Sequence, residues 1–236
     1  IQPWWVAASV FFAGLLRIRS FNALEPKLRE KTFMHLVGPG AGVPDLGSAD
    51  TLSRSLREMD LASVRSISDG IVAQAERNKV FREGWHGALR YVALDGWEPI
   101  CSTIRHCAQC LVRRITVRRG GETVEVEQYY HRYVVAMLID ERFDLALDIE
   151  PLLPFDLRPR GAAKDDEDEG ELTAARRLLR RVHQTYGWLD VVVADGLYPN
   201  GPFLTDVKSL RMGAVIIARK ETDEPLKEAL HLWGDQ

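Results

Sequence analysis

The sequence predicts an α/β protein in which a mixed sheet of antiparallel strands followed by helix–strand units is preceded by a helical region. Three observations predict this. Apolar residues recur at helical spacing through the first third of the chain. Apolar and β-branched runs separated by polar turns fill the middle. Helical and strand patterns then alternate.

Residues 1 to about 88 read as helical. The run from Trp4 to Leu16 is apolar. It is shorter than the roughly 20 residues that span a bilayer, and it lacks the flanks of a signal peptide. It therefore predicts a buried helix and no membrane partner. Helical spacing recurs from Leu15 to Leu28 and from Leu52 to Phe81, with Ser48-Ala49-Asp50-Thr51 supplying N-cap residues. Gly38 to Pro44 reads as a loop. Arg17, Arg19, Arg54, Arg57 and Arg65 offer either a face toward a nucleic-acid duplex or a solvated helix face.

From Trp85 the pattern changes. Strands are expected at Leu89–Asp95, Leu111–Arg118, Tyr129–Ile139 and Phe143–Ile149, with Gly120-Gly121 and Asp140-Glu141-Arg142 as turns and Pro151 and Pro154 ending the run. Glu171 to Tyr186 then reads as an amphipathic helix. Leu172, Ala175, Leu178, Leu179, Val182 and Tyr186 form its apolar face, and Arg176, Arg177, Arg180 and Arg181 its polar face. A strand at Trp188–Ala194, a helix near Leu204–Leu210 and a strand at Gly213–Ala218 follow. That order is RNase H-like. The domain division expected is 1–88, helical, and 89–236, the sheet domain.

A composition of 46% apolar and 28% charged residues is that of an ordinary globular protein. The net charge of −3 gives no sign of nucleic-acid binding on average, but its distribution is uneven. Asp165 to Glu169 is acidic, and it either favours the N-terminal dipole of the helix it precedes or pairs with the Arg176 to Arg181 stripe. Arg105, Arg113, Arg114, Arg118 and Arg119 concentrate positive charge where phosphates can bind. The three cysteines lie between 101 and 110, which is no disulfide framework and suits a reducing, cytoplasmic setting. The chain begins with Ile, and an excerpt or truncated frame is expected.

Two aspartates stand at the ends of apolar runs, each before glycine: Leu94-Asp95-Gly96 and Ala194-Asp195-Gly196. Such a pair breaks a strand and leaves a carboxylate at the sheet's edge. Carboxylates on neighbouring strands can share divalent cations in phosphodiester chemistry. Singly, Asp-Gly is also ordinary turn chemistry.

In order, Leu94-Asp95-Gly96, His106-Cys107-x-x-Cys110-Leu111, Tyr129-Tyr130-His131-Arg132, Leu147-Asp148-Ile149-Glu150-Pro151, Ala174-Ala175-Arg176-Arg177-Leu178-Leu179 and Asp190 to Tyr198 resemble bacterial insertion-sequence transposases of the DDE type. The resemblance covers most of the chain. It implies an RNase H-like catalytic core, Mg²⁺ or Mn²⁺ held by Asp95 and Asp195, and action on DNA by cleaving element ends and joining 3′-hydroxyls to a target. It also implies a homodimer on DNA at the bacterial nucleoid. The family's third acid, a glutamate on a later helix, has no recognisable match among Glu221, Glu224 and Glu228, so the sheet domain is expected to be incomplete at its C-terminus.

Cys101-x₄-His106-Cys107-x₂-Cys110 offers zinc ligands in Cys101, Cys107 and Cys110, or simply reduced thiols in a hairpin. His131 reads as a core or edge histidine. Arg113, Arg114, Arg118 and Arg119 flank a strand, and alternation lets only one of each pair point at DNA. Asp148 and Glu150 read as a polar strand exit. Two other functions remain open: a catalytically inactive DNA-binding remnant, and a phospho-acceptor receiver domain suggested by Val191 to Lys208 but requiring a wholly parallel sheet.

Overall fold

A computed structural model describes residues 3–33, 48–81, 89–141, 144–157, 169–217, 226–228 and 231. The chain divides into two compact units, Ile1–Ile67 and Ser68–Gln236.

The first unit contains α1 (Pro3–Leu15), α2 (Phe21–Lys27) and α3 (Ala49–Glu58). Trp5, Val6, Ala13, Leu24, Leu28, Phe33 and Leu52 are buried together. Ser20 caps α2 by accepting from the Ala23 N–H. At α3 the predicted Ser48 takes the N-cap position without a side-chain cap. Instead the Ala49 N–H donates to Glu25 Oε2 at 2.9 Å, so α2 supplies the anion that the helix start needs. The expected Leu52–Phe81 helix is two helices. α4 (Leu61–Arg77) restarts at Asp60, which accepts from the Ser63 N–H and hydroxyl, an N-cap arrangement. The predicted loop at 38–44 lies outside the described residues.

The second unit is an α/β structure. Its strands are β1 (Tyr91–Ser102), β2 (Leu111–Arg119), β3 (Glu122–Ile139), β4 (Asp144–Pro151), β5 (Val191–Ala194) and β6 (Gly213–Ile216), with α5 (Glu171–Thr185) before β5 and α6 (Gly201–Ser209) before β6. β1 pairs antiparallel with β3, and β3 with β2 and β4. β1 pairs parallel with β5, and β5 with β6. β3 is long enough to carry β2 along residues 122–130 and β4 along 133–139. Gly120 and Gly121 both have positive φ, 61° and 91°, which is what a two-residue hairpin turn between right-twisted strands requires.

Core-facing positions alternate along the strands. Val92 and Leu94 lie opposite Leu138 and Ala136, all buried with Val192 and Ala194 against Ala174, Ala175, Leu178, Leu179 and Val182 of α5. β1 does not stop at Asp95-Gly96, as the sequence reading expects. It continues to Ser102 because β3 extends alongside it, with a register shift between Trp97 and Ile100. The shift spans Pro99, which has no N–H to donate to a ladder.

The arginine face of α5 is built into the structure rather than solvated. Arg177 pairs with Glu150 and Glu169, and Arg181 with Asp148 at 2.6 Å and Glu150 at 2.6 Å. Arg176 and Arg180 pair with Asp206 of α6. Asp148 and Glu150, read as a polar strand exit, thus clamp α5 to β4. Among the described residues no helix is long and apolar enough to cross a membrane.

Candidate functional site

Strand register brings the two aspartates together. Leu94 and Ala194 are partners in the parallel ladder between β1 and β5, so Asp95 and Asp195 are the next residues on adjacent strands running the same way. Asp195 ends its strand as predicted. Its Oδ1 accepts from the Leu197 N–H at 2.8 Å and shapes the turn that leads to Tyr198. Asp95 Oδ1 accepts from the Gly96 N–H.

A further carboxylate, that of Glu171, lies against Gly96, the residue after Asp95. Gly96 lies opposite Val134 on the core-facing side of β1. The carboxylate of Glu171, the first residue of α5, occupies the space that a Cβ at position 96 would take, so a side chain there would displace it. Glu171 is held from two sides. Arg132 Nη2 donates to Oε2 at 2.5 Å, and the Tyr198 hydroxyl donates to Oε1 at 2.9 Å. The Glu171 side chain is only 8% exposed, which makes an ionised group costly without such partners. Arg132 Nε is buried without a hydrogen-bond partner.

Tyr198 is fully buried. Burial above all, and then the negative charges of Glu171, Asp95 and Asp195, raise its hydroxyl far above the usual tyrosine range. It therefore remains a hydrogen-bond donor across physiological pH. Sequence reading finds no match for the third acid among Glu221, Glu224 and Glu228 and expects the chain to stop before it. Glu221 and Glu224 lie outside the described residues, while Glu228 is exposed on a short helical segment. What hides Glu171 in the sequence is its position in a helical first turn, where a carboxylate needs no further explanation.

The predicted arginines have different settings. Arg113 is locked within the sheet. It donates to both carboxylate oxygens of Glu98, at 2.6 and 2.9 Å, and to Gln128 at 2.7 Å. Its guanidinium lies 4.4 Å from the Tyr130 ring centroid. Arg114 and Arg118 alternate with it and are exposed, as is Arg119 at the hairpin turn.

The thiol cluster also differs from the expected set. Cys107, Cys110 and His131 place one ligand atom each within 4.8 Å of the others, an arrangement that can hold a metal ion. Cys101 is not in this group. It pairs with Tyr130, whereas His131 pairs with Ile100, and adjacent strand residues point to opposite faces. Pairing of β2 with β3, whose ladder ends at Leu111 opposite Tyr130, thus brings in a histidine, read from the sequence as a core or edge residue, in place of Cys101. The Asp95, Asp195 and Glu171 carboxylates are not gathered to that mutual spacing among the described residues. Comparison with protein-family models and with curated proteins finds no match to this chain.

Proposed function

We propose that this chain carries the catalytic core of a DDE-type DNA transposase and performs metal-dependent phosphoryl transfer on DNA. The observation that carries the reading is the matched placement of Asp95 and Asp195 beyond the Leu94–Ala194 pair of two adjacent parallel strands. The strand order β4-β3-β1-β5-β6, with the first three strands antiparallel and the last two parallel to β1, supports an RNase H-like core. It is at odds with the wholly parallel sheet of a receiver domain.

The donors fit the implied cofactor, because carboxylate oxygens suit Mg²⁺ or Mn²⁺. Asp95 and Asp195 would hold the cation, with Glu171 as the further acid. When bound, it lowers the pKa of an attacking water or 3′-hydroxyl and stabilises charge on the leaving oxygen. The protein's own groups prepare the site. Tyr198 and Arg132 fix the Glu171 carboxylate, and Gly96 leaves room for it. Exposed Arg114, Arg118 and Arg119 offer phosphate contacts that orient the strand without reading its sequence.

The test is nicking of supercoiled plasmid in Mn²⁺. Wild type nicks, and Asp95→Asn and Asp195→Asn each reduce the rate at least 100-fold. Wild-type activity in either variant contradicts the reading. The carboxylates' wider spacing favours a second reading, a non-catalytic DNA-binding remnant. Retarded DNA migration with no cleavage in either metal would support it.

A further inference from the structure

The geometry points to a second, independent metal site: we infer that Cys107, Cys110 and His131 bind a zinc ion that ties the β1–β2 connection to β3. The reasoning begins with the three side chains' mutual distances. Cys107 Sγ and Cys110 Sγ are 3.6 Å apart, and His131 Nε2 lies 3.3 Å from the first and 3.5 Å from the second. Zinc bonds of about 2.3 Å to sulfur and about 2.0 Å to nitrogen, at tetrahedral angles, give edges of about 3.6–3.8 Å. The three atoms therefore form one nearly regular face of such a tetrahedron.

The alternatives fit less well. A disulfide needs its sulfurs about 2.05 Å apart, and it leaves the equidistant imidazole unexplained. A chance meeting of reduced thiols does not explain why the connection folds back on itself. The Cys110 N–H donates to the Cys107 carbonyl at 3.2 Å, and the Cys107 N–H donates to Cys110 Sγ at 3.2 Å. This closes a tight turn that presents both sulfurs to one point. A mixed thiolate and imidazole set selects zinc over the oxygen-preferring Mg²⁺ and Mn²⁺, so this site does not compete with the aspartates for their cation.

His106, its ring 4.8 Å from that of Tyr129, is outside the three-atom group. The consequence is architectural. Residues 103–110 carry no strand, and the ion would pin them to His131 and so fix the base of the β2–β3 hairpin that displays Arg114 and Arg118.

The test uses the full chain. Expected results are one equivalent of zinc by elemental analysis after dialysis, and intense visible bands of tetrahedral cobalt–thiolate on substitution with Co²⁺. Cys107→Ser, Cys110→Ser and His131→Ala should each weaken Zn²⁺ affinity at least 100-fold, while Cys101→Ser leaves it unchanged. Limited trypsin digestion gives a second readout that does not depend on these variants folding. Zinc should protect the bond after exposed Arg105, and EDTA should open it. No zinc bound, a Cys101→Ser loss equal to that of Cys107→Ser, or binding unaffected by His131→Ala overturns the assignment.

Discussion

At the scale of single residues, the acidic site rests on a glycine and a tyrosine as much as on its acids. Gly96 lies where any side chain would meet the Glu171 carboxylate. Gly96→Ala should therefore cost about 1–3 kcal/mol, the range for overpacked interiors, and should displace the acid. The comparison is urea unfolding of variant and wild type. Tyr198→Phe removes one neutral donor to a buried carboxylate and should cost about 1–3 kcal/mol. An unchanged denaturation midpoint would show that the hydroxyl does not hold Glu171. That Asp95 and Asp195 stand on neighbouring strands was legible, because each follows an apolar run of strand length, and the ladder pairs Leu94 with Ala194. Glu171 was not, because its role depends on where α5 begins relative to β1, a relation across 75 positions that periodicity does not contain. The same limit applies to His131, whose local pattern is that of any strand histidine until pairing of β2 with β3 sets it beside Cys110.

At the scale of elements, α5 decides the geometry of the site, since its first residue is Glu171. Its apolar face was readable from 3.6-residue spacing. Of the partners of its arginines, Glu169 of the acidic block was readable, whereas Asp148, Glu150 and Asp206 were not, because charge alone does not tell which distant acids a helix face meets. Exposure distinguishes their contributions. Arg181 is 30% exposed at the side chain and bridges Asp148 and Glu150, each about 90% buried. Arg181→Ala should cost about 2–4 kcal/mol, close to the loss seen when one partner of a buried pair is removed. Arg180 is 50% exposed and shares Asp206 with Arg176. Arg180→Ala should cost less than about 1 kcal/mol, as exposed pairs do. Equal losses in the two variants would contradict the clamp. The extension of β1 beyond Asp95 was likewise hidden, because the Asp-Gly signal for a turn was overridden by pairing with β3.

At the scale of the whole molecule, the class of fold was legible because strand runs, turn glycines and alternating helix–strand patterns all agree. What the sequence could not supply was strand order, which comes from pairings between β1, β3 and β5 at long range. The sheet unit also carries a pH dependence. Burial alone would raise the Asp206 carboxyl, but hydrogen bonds and charge from Arg176 and Arg180 outweigh this and lower it below its ordinary value of 3.8. A folded-state pKa below the unfolded one gives stability that is complete above the ordinary carboxylate range and is lost as pH falls through the folded value. Denaturant midpoints should therefore fall below about pH 4, and Asp206→Asn should flatten that acid limb while lowering stability at neutral pH. An identical acid limb in the variant would assign the dependence to other carboxylates.

The central claim is that Asp95 and Asp195 form one divalent-cation site. Its most direct test is calorimetric titration of the full chain with Mn²⁺, which prefers carboxylate oxygen to thiolate. Wild type should bind, and Asp95→Ala and Asp195→Ala should each abolish that binding while retaining the wild-type circular dichroism spectrum. Undiminished binding in either correctly folded variant, or no binding by wild type, would contradict the shared site.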